Sequence, residues 1–381
     1  MKVMMVSSME QKCGVAEYTR ALHKELDGLA SMQLLSMPTM KSRKDVIAFA
    51  DQINQGDVAH VQYDSDHCGF WRQPFRTHNF NYFLKSIRIP CIVTVHDLIY
   101  HLPFKMMQGI NLKTVLYNRV VVPIINGTSY GSFLRGTFLR GADYLIVHTT
   151  ASKSFLKSLG FKAATISVIY PGIPKIILDP TYSVREQLGW KDRKIMAIFG
   201  YVGPHKGYET ALRAMKHLPN SVNLVLAGDI RNESYETYLQ QLRASIVSFG
   251  LQDRVAVTGY LDDSKIGALL KESDIILVPH RLTVNTDTSY SLSYAIASER
   301  PIITSNKPFF LEIEKKYCAM RSFKEGDEKA LAQLVIESLN SSYQEEVFGE
   351  EYREEWSWKN VAKKTYQVYC DALNQRKGHE T

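Results

Sequence analysis

Short apolar runs alternate with segments of helical spacing along most of the chain. In the first half, the runs at 2–7, 58–62, 91–95, 144–148 and 166–169 read as buried strands, and 15–26 and 151–159 show the three-to-four-residue apolar spacing of helices. Alternation of this kind predicts a parallel sheet covered by helices on both faces. Pro171-Gly172-Ile173-Pro174 then interrupts the pattern, as a linker would. Beyond it the series restarts, with strand runs at 195–199, 223–227, 254–258, 275–278 and 301–304 and helical segments at 208–218, 236–249, 263–272, 290–297 and 328–339. The pattern predicts an α/β chain of two doubly wound, Rossmann-like domains, residues 1–172 and 173–352, facing a central cleft. In such sheets ligands collect beyond the carboxyl ends of the strands.

Composition supports this frame. With 381 residues, 45% hydrophobic and 22% charged, the chain has enough apolar material for two cores. It contains no apolar stretch of about 18 residues, and its first residues read as a strand rather than a secretion signal, so a cytoplasmic location is expected. Cys13, Cys68, Cys91, Cys318 and Cys370 are scattered and form no C-x-x-C pair, which argues against a disulfide framework and a zinc site.

The charge is uneven. Residues 1–185 hold 21 Lys and Arg against 12 Asp and Glu, whereas the remainder holds 25 against 27. A basic first half suits an anionic membrane surface or a phosphate-bearing substrate, unless it is simply a solvated face. Nucleic acid ranks last, because no module of interleaved aromatics and basic residues is present. Residues 105–125, apolar between Lys105, Lys113 and Arg119, read either as an interfacial element on a membrane or as core material.

The strand ends carry the candidate chemistry. The run 195–199 delivers the chain to Gly200-Tyr201-Val202-Gly203-Pro204-His205-Lys206-Gly207, just before a helix. A lysine beside the free amides of a helix start is an anion site by charge and dipole together, or else an ordinary surface turn. In the first half, a polar loop ends at Gly14, Tyr63-Asp64 follows one strand, and His96-Asp97 follows another. A histidine beside an aspartate at a strand end is a candidate proton carrier or substrate donor, or a residue that serves only the turn. Gly228-Asp229, Gly259-Tyr260-Leu261-Asp262-Asp263 and Pro279-His280-Arg281 end strands in the second half, with the two aspartates read as helix caps.

Taken in order, Gly14-Val15-Ala16-Glu17-Tyr18-Thr19, Thr94-Val95-His96-Asp97, Ile169-Tyr170-Pro171-Gly172-Ile173, the Gly200–Gly207 turn, Gly259-Tyr260-Leu261 and Ser298-Glu299-Arg300-Pro301-Ile302-Ile303 resemble the family 4 retaining glycosyltransferases. The resemblance runs along essentially the whole chain. Trp356-Ser357-Trp358 ahead of 361–373 is similar to the family's last helix, which implies that residues 353–381 cross back to the first domain. It also implies the glycosyltransferase B fold and metal-independent hexosyl transfer, with retention, from a nucleotide-diphosphate sugar. No cofactor is implied beyond that co-substrate. The acceptor would be a glycan or a lipid-linked glycan of polysaccharide or oligosaccharide synthesis, met at the inner membrane face or in the cytoplasm.

By the same resemblance, Lys206 neutralises the donor diphosphate, with Gly203 and Gly207 in its turn and amides from Tyr290, Ser291 and Leu292 beside it. Tyr260 and Leu261 cradle the base, Gly14 lies by the donor, and His96 with Asp97 meets the transferred sugar or the acceptor. Two positions depart from the pattern. Gly203 stands where the family has an arginine, and Thr286 and Tyr294 stand where it has two glutamates. Asp287, Thr288 and Ser289 can still hydrogen-bond a sugar or phosphate. The departures leave two other readings open: a noncatalytic binding subunit, and an epimerase or phosphorylase on the same fold.

Overall fold

The computed structural model describes residues 1–9, 14–40, 42–64, 76–98, 136, 138–230, 233–281, 289–340 and 348–377. The chain divides into two units, Met1–Pro171 with Trp358–Thr381, and Gly172–Val284 with Ser289–Ser357.

The first unit is built on a six-stranded sheet of β1 (Lys2–Ser7), β2 (Ser31–Ser36), β3 (Val58–Tyr63), β4 (Cys91–Val95), β5 (Tyr144–Val147) and β6 (Ile166–Val168), in the order β2-β1-β3-β4-β5-β6. Every pairing is parallel. The apolar runs are continuous because both faces are covered. Met4 and Val6 join a core that includes Phe49, Phe83 and Phe138, while Val3 and Met5 face a second core on the other side. That second core is completed from the far end of the chain. Val361, Ala362, Val368, Tyr369 and Ala372 of the helix Trp358–Lys377 pack with Tyr18, Leu22 and Leu26 of the helix Gly14–Leu26. The last helix therefore does cross back to the first unit, and it begins at Trp358.

The second unit has its own parallel sheet of β7 (Lys194–Phe199), β8 (Val222–Ala227), β9 (Val255–Gly259), β10 (Ile275–Val278), β11 (Ile302–Ser305) and β12 (Arg321–Phe323), in the order β12-β11-β10-β7-β8-β9. Read from β9, this is the dinucleotide-fold order 3-2-1-4-5-6, whose direction reverses between β7 and β10. Helices follow the strands, among them Tyr208–Ala214, Asp263–Glu272, Tyr290–Ala297 and Pro308–Tyr317. Asp262 caps Asp263–Glu272, its side chain accepting from the Lys265 amide at 3.0 Å. Among the described residues no helix is long and apolar enough to cross a membrane.

The sequence pattern does not reveal β2 or β12. Both are edge strands, and Ser-Met-Gln-Leu-Leu-Ser and Arg-Ser-Phe carry few apolar residues because an edge needs fewer. It likewise omits the helices Arg43–Ile53, Arg76–Ser86 and Pro308–Tyr317. The helix expected at 208–218 is α-helical only over Tyr208–Ala214, and Met215–His217 tighten into a 3-10 turn.

Candidate functional site

In the second unit the strand order reverses between β7 and β10, the place where such sheets take ligands, and the glycine-lysine turn follows the end of β7. Gly200 leaves β7 with φ 123°, and a Cβ at that position would sit 2.7 Å from Lys206 Nζ and 2.8 Å from Ser291 Oγ. Only glycine admits that close approach. Pro204–Lys206 form one 3-10 turn, after which Gly207 at φ 72° starts the helix Tyr208–Ala214 against the Pro279 carbonyl. The turn folds Lys206 inward. Its side chain is 7% exposed, and Nζ donates to Ser291 Oγ at 2.6 Å while Ser291 Oγ donates to the Phe199 carbonyl at 2.8 Å.

Ser291 belongs to the helix Tyr290–Ala297, whose cap Ser289 accepts from the Leu292 amide at 3.2 Å. A buried ammonium and the first turn of a capped helix thus meet beside one strand end. Burial, then the charge of Lys307, pulls the Lys206 ammonium down to about 7. The neighbouring His280 is held neutral, well below the usual histidine range, first by burial and then by Lys206, Lys307 and His205. Lys206 has no carboxylate partner among the described residues.

The first unit places a different set of polar groups at the ends of β3, β4 and β5. His60 Nδ1 is 2.6 Å from the Tyr369 hydroxyl, and its Nε2 is 2.7 Å from Thr94 Oγ1 and 3.1 Å from Gln62 Nε2. Gln62 Oε1 lies 2.9 Å from His96 Nε2, and His96 Nδ1 lies 3.3 Å from His148 Nε2. His148 Nδ1 ends the chain by donating to the Ile169 carbonyl at 2.8 Å. All three rings are buried, and Tyr18 lies edge-on to both His96 and His148. Burial lowers His60 to about 3 and His148 to about 4, and His96 lies well below its usual range for the same reason, reinforced by His148. The network is neutral near pH 7. Both ring nitrogens of His96 are occupied inside the fold.

Residues 182–357 match the family described as Glycosyl transferases group 1. The match covers most of the second unit and a little under half of the chain. Among curated relatives, mannosylfructose-phosphate synthase of Agrobacterium fabrum is 25% identical over 153 residues, 37% of this chain and 34% of that protein. An uncharacterized glycosyltransferase of Methanocaldococcus jannaschii, MJ1607, is 25% identical over 223 residues, 55% and 54% of the two chains. The match thus spans about a third to a half of these relatives' lengths.

Solved structures agree over more of the chain. Anabaena Alr3699/HepE, solved with UDP and glucose, has TM-score 0.71 at 14% identity, covering 97% of this chain and 99% of that one. Sucrose-phosphate synthase from Thermosynechococcus elongatus has TM-score 0.70 at 16% identity, covering 98% and 99%. At these identities the likeness establishes the fold, the two-domain glycosyltransferase B architecture.

Of the residues expected to form the site, Gly203, Lys206, Gly207, Ser289, Tyr290, Ser291, Leu292 and Tyr294 gather in the second unit around the β7 end and the capped helix. Tyr294 packs its ring against Phe199 and Tyr290, at 5.1 and 5.3 Å between centroids. Tyr260 and Leu261 follow β9, and Tyr260 is 62% exposed. Gly14, His96 and Asp97 belong to the first unit, where Gly14 opens a helix and Asp97 is buried. Thr286, Asp287 and Thr288 lie outside the described residues, as do most of the loop before Gly14 and the segment 105–125. Lys307, Ser305 and the bridging role of Gln62 and His148 escape sequence reading, because they depend on which strand ends become neighbours. The one available signal for Lys307 is a lysine just past an apolar run, and that is common on any surface.

Proposed function

We propose that the chain is a metal-independent, retaining hexosyltransferase that moves a sugar from a nucleotide-diphosphate sugar to a glycan or lipid-linked acceptor. The observation that carries this reading is the buried Lys206 ammonium, held by Ser291 at 2.6 Å at the strand-order reversal of a group 1 glycosyl transferase domain. A preorganised, desolvated cation stabilises charge that develops on the leaving diphosphate more strongly than a solvated one does. The first turn of Tyr290–Ala297 adds backbone amides aimed at the same charge. Anabaena Alr3699/HepE was solved with UDP-glucose, which supports a nucleotide-sugar donor here. The excess of basic residues over 1–185 supports acceptor work in the cytoplasm at an anionic membrane face.

Incubation of the purified chain with UDP-, GDP- and ADP-sugars, read by nucleotide release and by NMR of the product's anomeric proton, tests this directly. Multiple turnovers with retained configuration are expected. Inversion would remove the retaining assignment. A single specific observation favours a second reading, a noncatalytic binding subunit: an aromatic, Tyr294, occupies the position of a family glutamate and packs against Phe199. Nucleotide-sugar binding without turnover would select that reading.

A further inference from the structure

We propose that Gln62 is the positioning residue of His96: its amide turns its NH2 to His96 and its oxygen to His60, and so holds His96 in one neutral form, protonated on Nδ1. The order is set at one end by a group that can only accept. The Ile169 carbonyl lies 2.8 Å from His148 Nδ1, so that nitrogen carries the proton, and a neutral His148 leaves its Nε2 bare. His96 Nδ1, 3.3 Å from that bare nitrogen, is then the donor, which leaves His96 Nε2 bare in its turn. One end of the Gln62 amide stands 2.9 Å from it, and only the NH2 end can serve there. The amide oxygen takes the place 3.1 Å from His60 Nε2 and shares that proton with Thr94 Oγ1 at 2.7 Å. His60 Nδ1 is left to accept from the Tyr369 hydroxyl at 2.6 Å. Every proton from Tyr369 to Ile169 points the same way.

The opposite orientation of the amide, Oε1 to His96 and Nε2 to His60, fills the same space. It asks His96 to donate from Nε2. His96 Nδ1 and His148 Nε2 would then face each other as two bare nitrogens at 3.3 Å, unless one ring took a second proton. That proton would place a charge among rings 0%, 4% and 0% exposed at His60, His96 and His148. At the other end His60 Nδ1 would donate, and the Tyr369 proton would meet no acceptor among the described residues. Ionisable groups around the His96 ring are His60, His148, Asp64 after β3, Asp97 after β4, Tyr18 on the helix Gly14–Leu26 and Tyr369 on the last helix. Burial, then His148, outweighs the pull of Asp64 toward a charged ring. Under the proposed transfer reaction, on which this role rests, His96 therefore serves by its position and offers no proton near pH 7.

Long-range nitrogen–proton NMR of the whole wild-type chain, labelled at the histidine rings, reads the proton order without any reaction. His96 and His148 should carry their protons on Nδ1 and His60 on Nε2, all three neutral, between about pH 6 and 8. A proton on His96 Nε2, alone or as an imidazolium, overturns the proposal. Steady-state kinetics then reads the role. Gln62→Leu should lower kcat about tenfold, the scale of one neutral hydrogen bond, and leave nucleotide affinity within twofold. Gln62→Glu can donate to His96 and accept from His60 only while its carboxyl is protonated, so its kcat should match wild type in acid and fall as the pH rises. A kcat in Gln62→Leu within twofold of wild type, or a rise with pH in Gln62→Glu, overturns the positioning role. No turnover by wild type with any nucleotide-sugar overturns the transfer reading instead, and the ring protons still decide for or against the Gln62 orientation. The wild-type spectrum needs no variant, so poor folding of Gln62→Leu does not remove the test.

Discussion

Each unit buries a cluster of polar side chains at its strand ends, yet the two clusters are balanced in opposite ways. In the first unit every ring nitrogen from His60 to His148 has a partner within the fold, and the set is neutral. In the second, the Lys206 ammonium is buried and held by one hydroxyl, Ser291 Oγ, at 2.6 Å. A closed neutral network stabilises and orients what surrounds it, whereas a buried charge is costly until an opposite charge meets it. Under the proposed function, anion binding falls to the second unit. To the first falls the task of holding His96 in place.

The largest expected effect breaks the open cluster. Lys206→Ala should lower turnover about 10²–10³-fold or more, without lowering the melting temperature, since the variant loses an ammonium that the fold desolvates. Steady-state kinetics beside thermal melting checks both halves, and unchanged turnover would detach Lys206 from catalysis. Breaking the closed cluster should do the reverse. His60→Ala removes the partner of Tyr369 and Gln62 and leaves buried polar atoms unpaired, at a cost of about 3 kcal/mol. Urea unfolding should show that loss while nucleotide affinity stays within twofold.

The two clusters also separate by pH. His60 and His148 titrate at about 3 and about 4 in the fold, below the ordinary 6.5, so the unfolded chain binds more protons across that window. Their contribution to stability is therefore full above pH 6.5 and is lost as the solution is acidified toward pH 3. Lys206 at about 7 is likewise depressed, from 10.5, so its contribution rises between roughly pH 7 and 10.5, where the unfolded lysine alone is protonated. Anion binding needs the ammonium and should weaken over that same alkaline window. Against the wild-type stability curve, His60→Ala should weaken the acid limb and Lys206→Met should lose the alkaline one. Equal curves in all three would contradict the assignment.

The smallest effect is a control far from both clusters. Cys318 ends the helix Pro308–Tyr317 at φ 52°, a left-handed position that favours glycine. Cys318→Gly should stabilise the chain by about 0.5–1 kcal/mol in urea unfolding and leave nucleotide binding alone.

Central strands and the glycine-lysine turn are legible in the sequence, because burial on both faces writes the strands as continuous apolar runs and because glycines flank Lys206 where the backbone must turn sharply. Asp262 shows its cap role by standing just before a helical segment. Of the four edge strands, β6 and β9 are legible as apolar runs, while β2 and β12, with serines or arginine among their few apolar residues, are not. Nor is the character of either cluster. That Lys206 points inward depends on Gly200 giving it room and on Ser291, 85 positions away, receiving it. Lys206, His280 and Lys307 follow β7, β10 and β11, which are neighbours because β10 lies between β7 and β11, an ordering that local periodicity does not encode. His96 stands out in sequence as a candidate contact for substrate, but its two nitrogens are met by Gln62 and His148, which only the β3-β4-β5 register brings beside it.

The hydrogen bond between His60 and Tyr369 joins residues 309 positions apart, and with it the last helix supplies part of one core of the first unit. A ribosome making this chain releases β1 through β6 long before Trp358–Lys377 emerges, so the part of one sheet face that this helix covers must wait, apolar and exposed beside the helix Gly14–Leu26, while the whole second unit is synthesised. The first domain in the chain is the last to be finished, and during that interval it is a natural client for chaperones that shield exposed apolar surface.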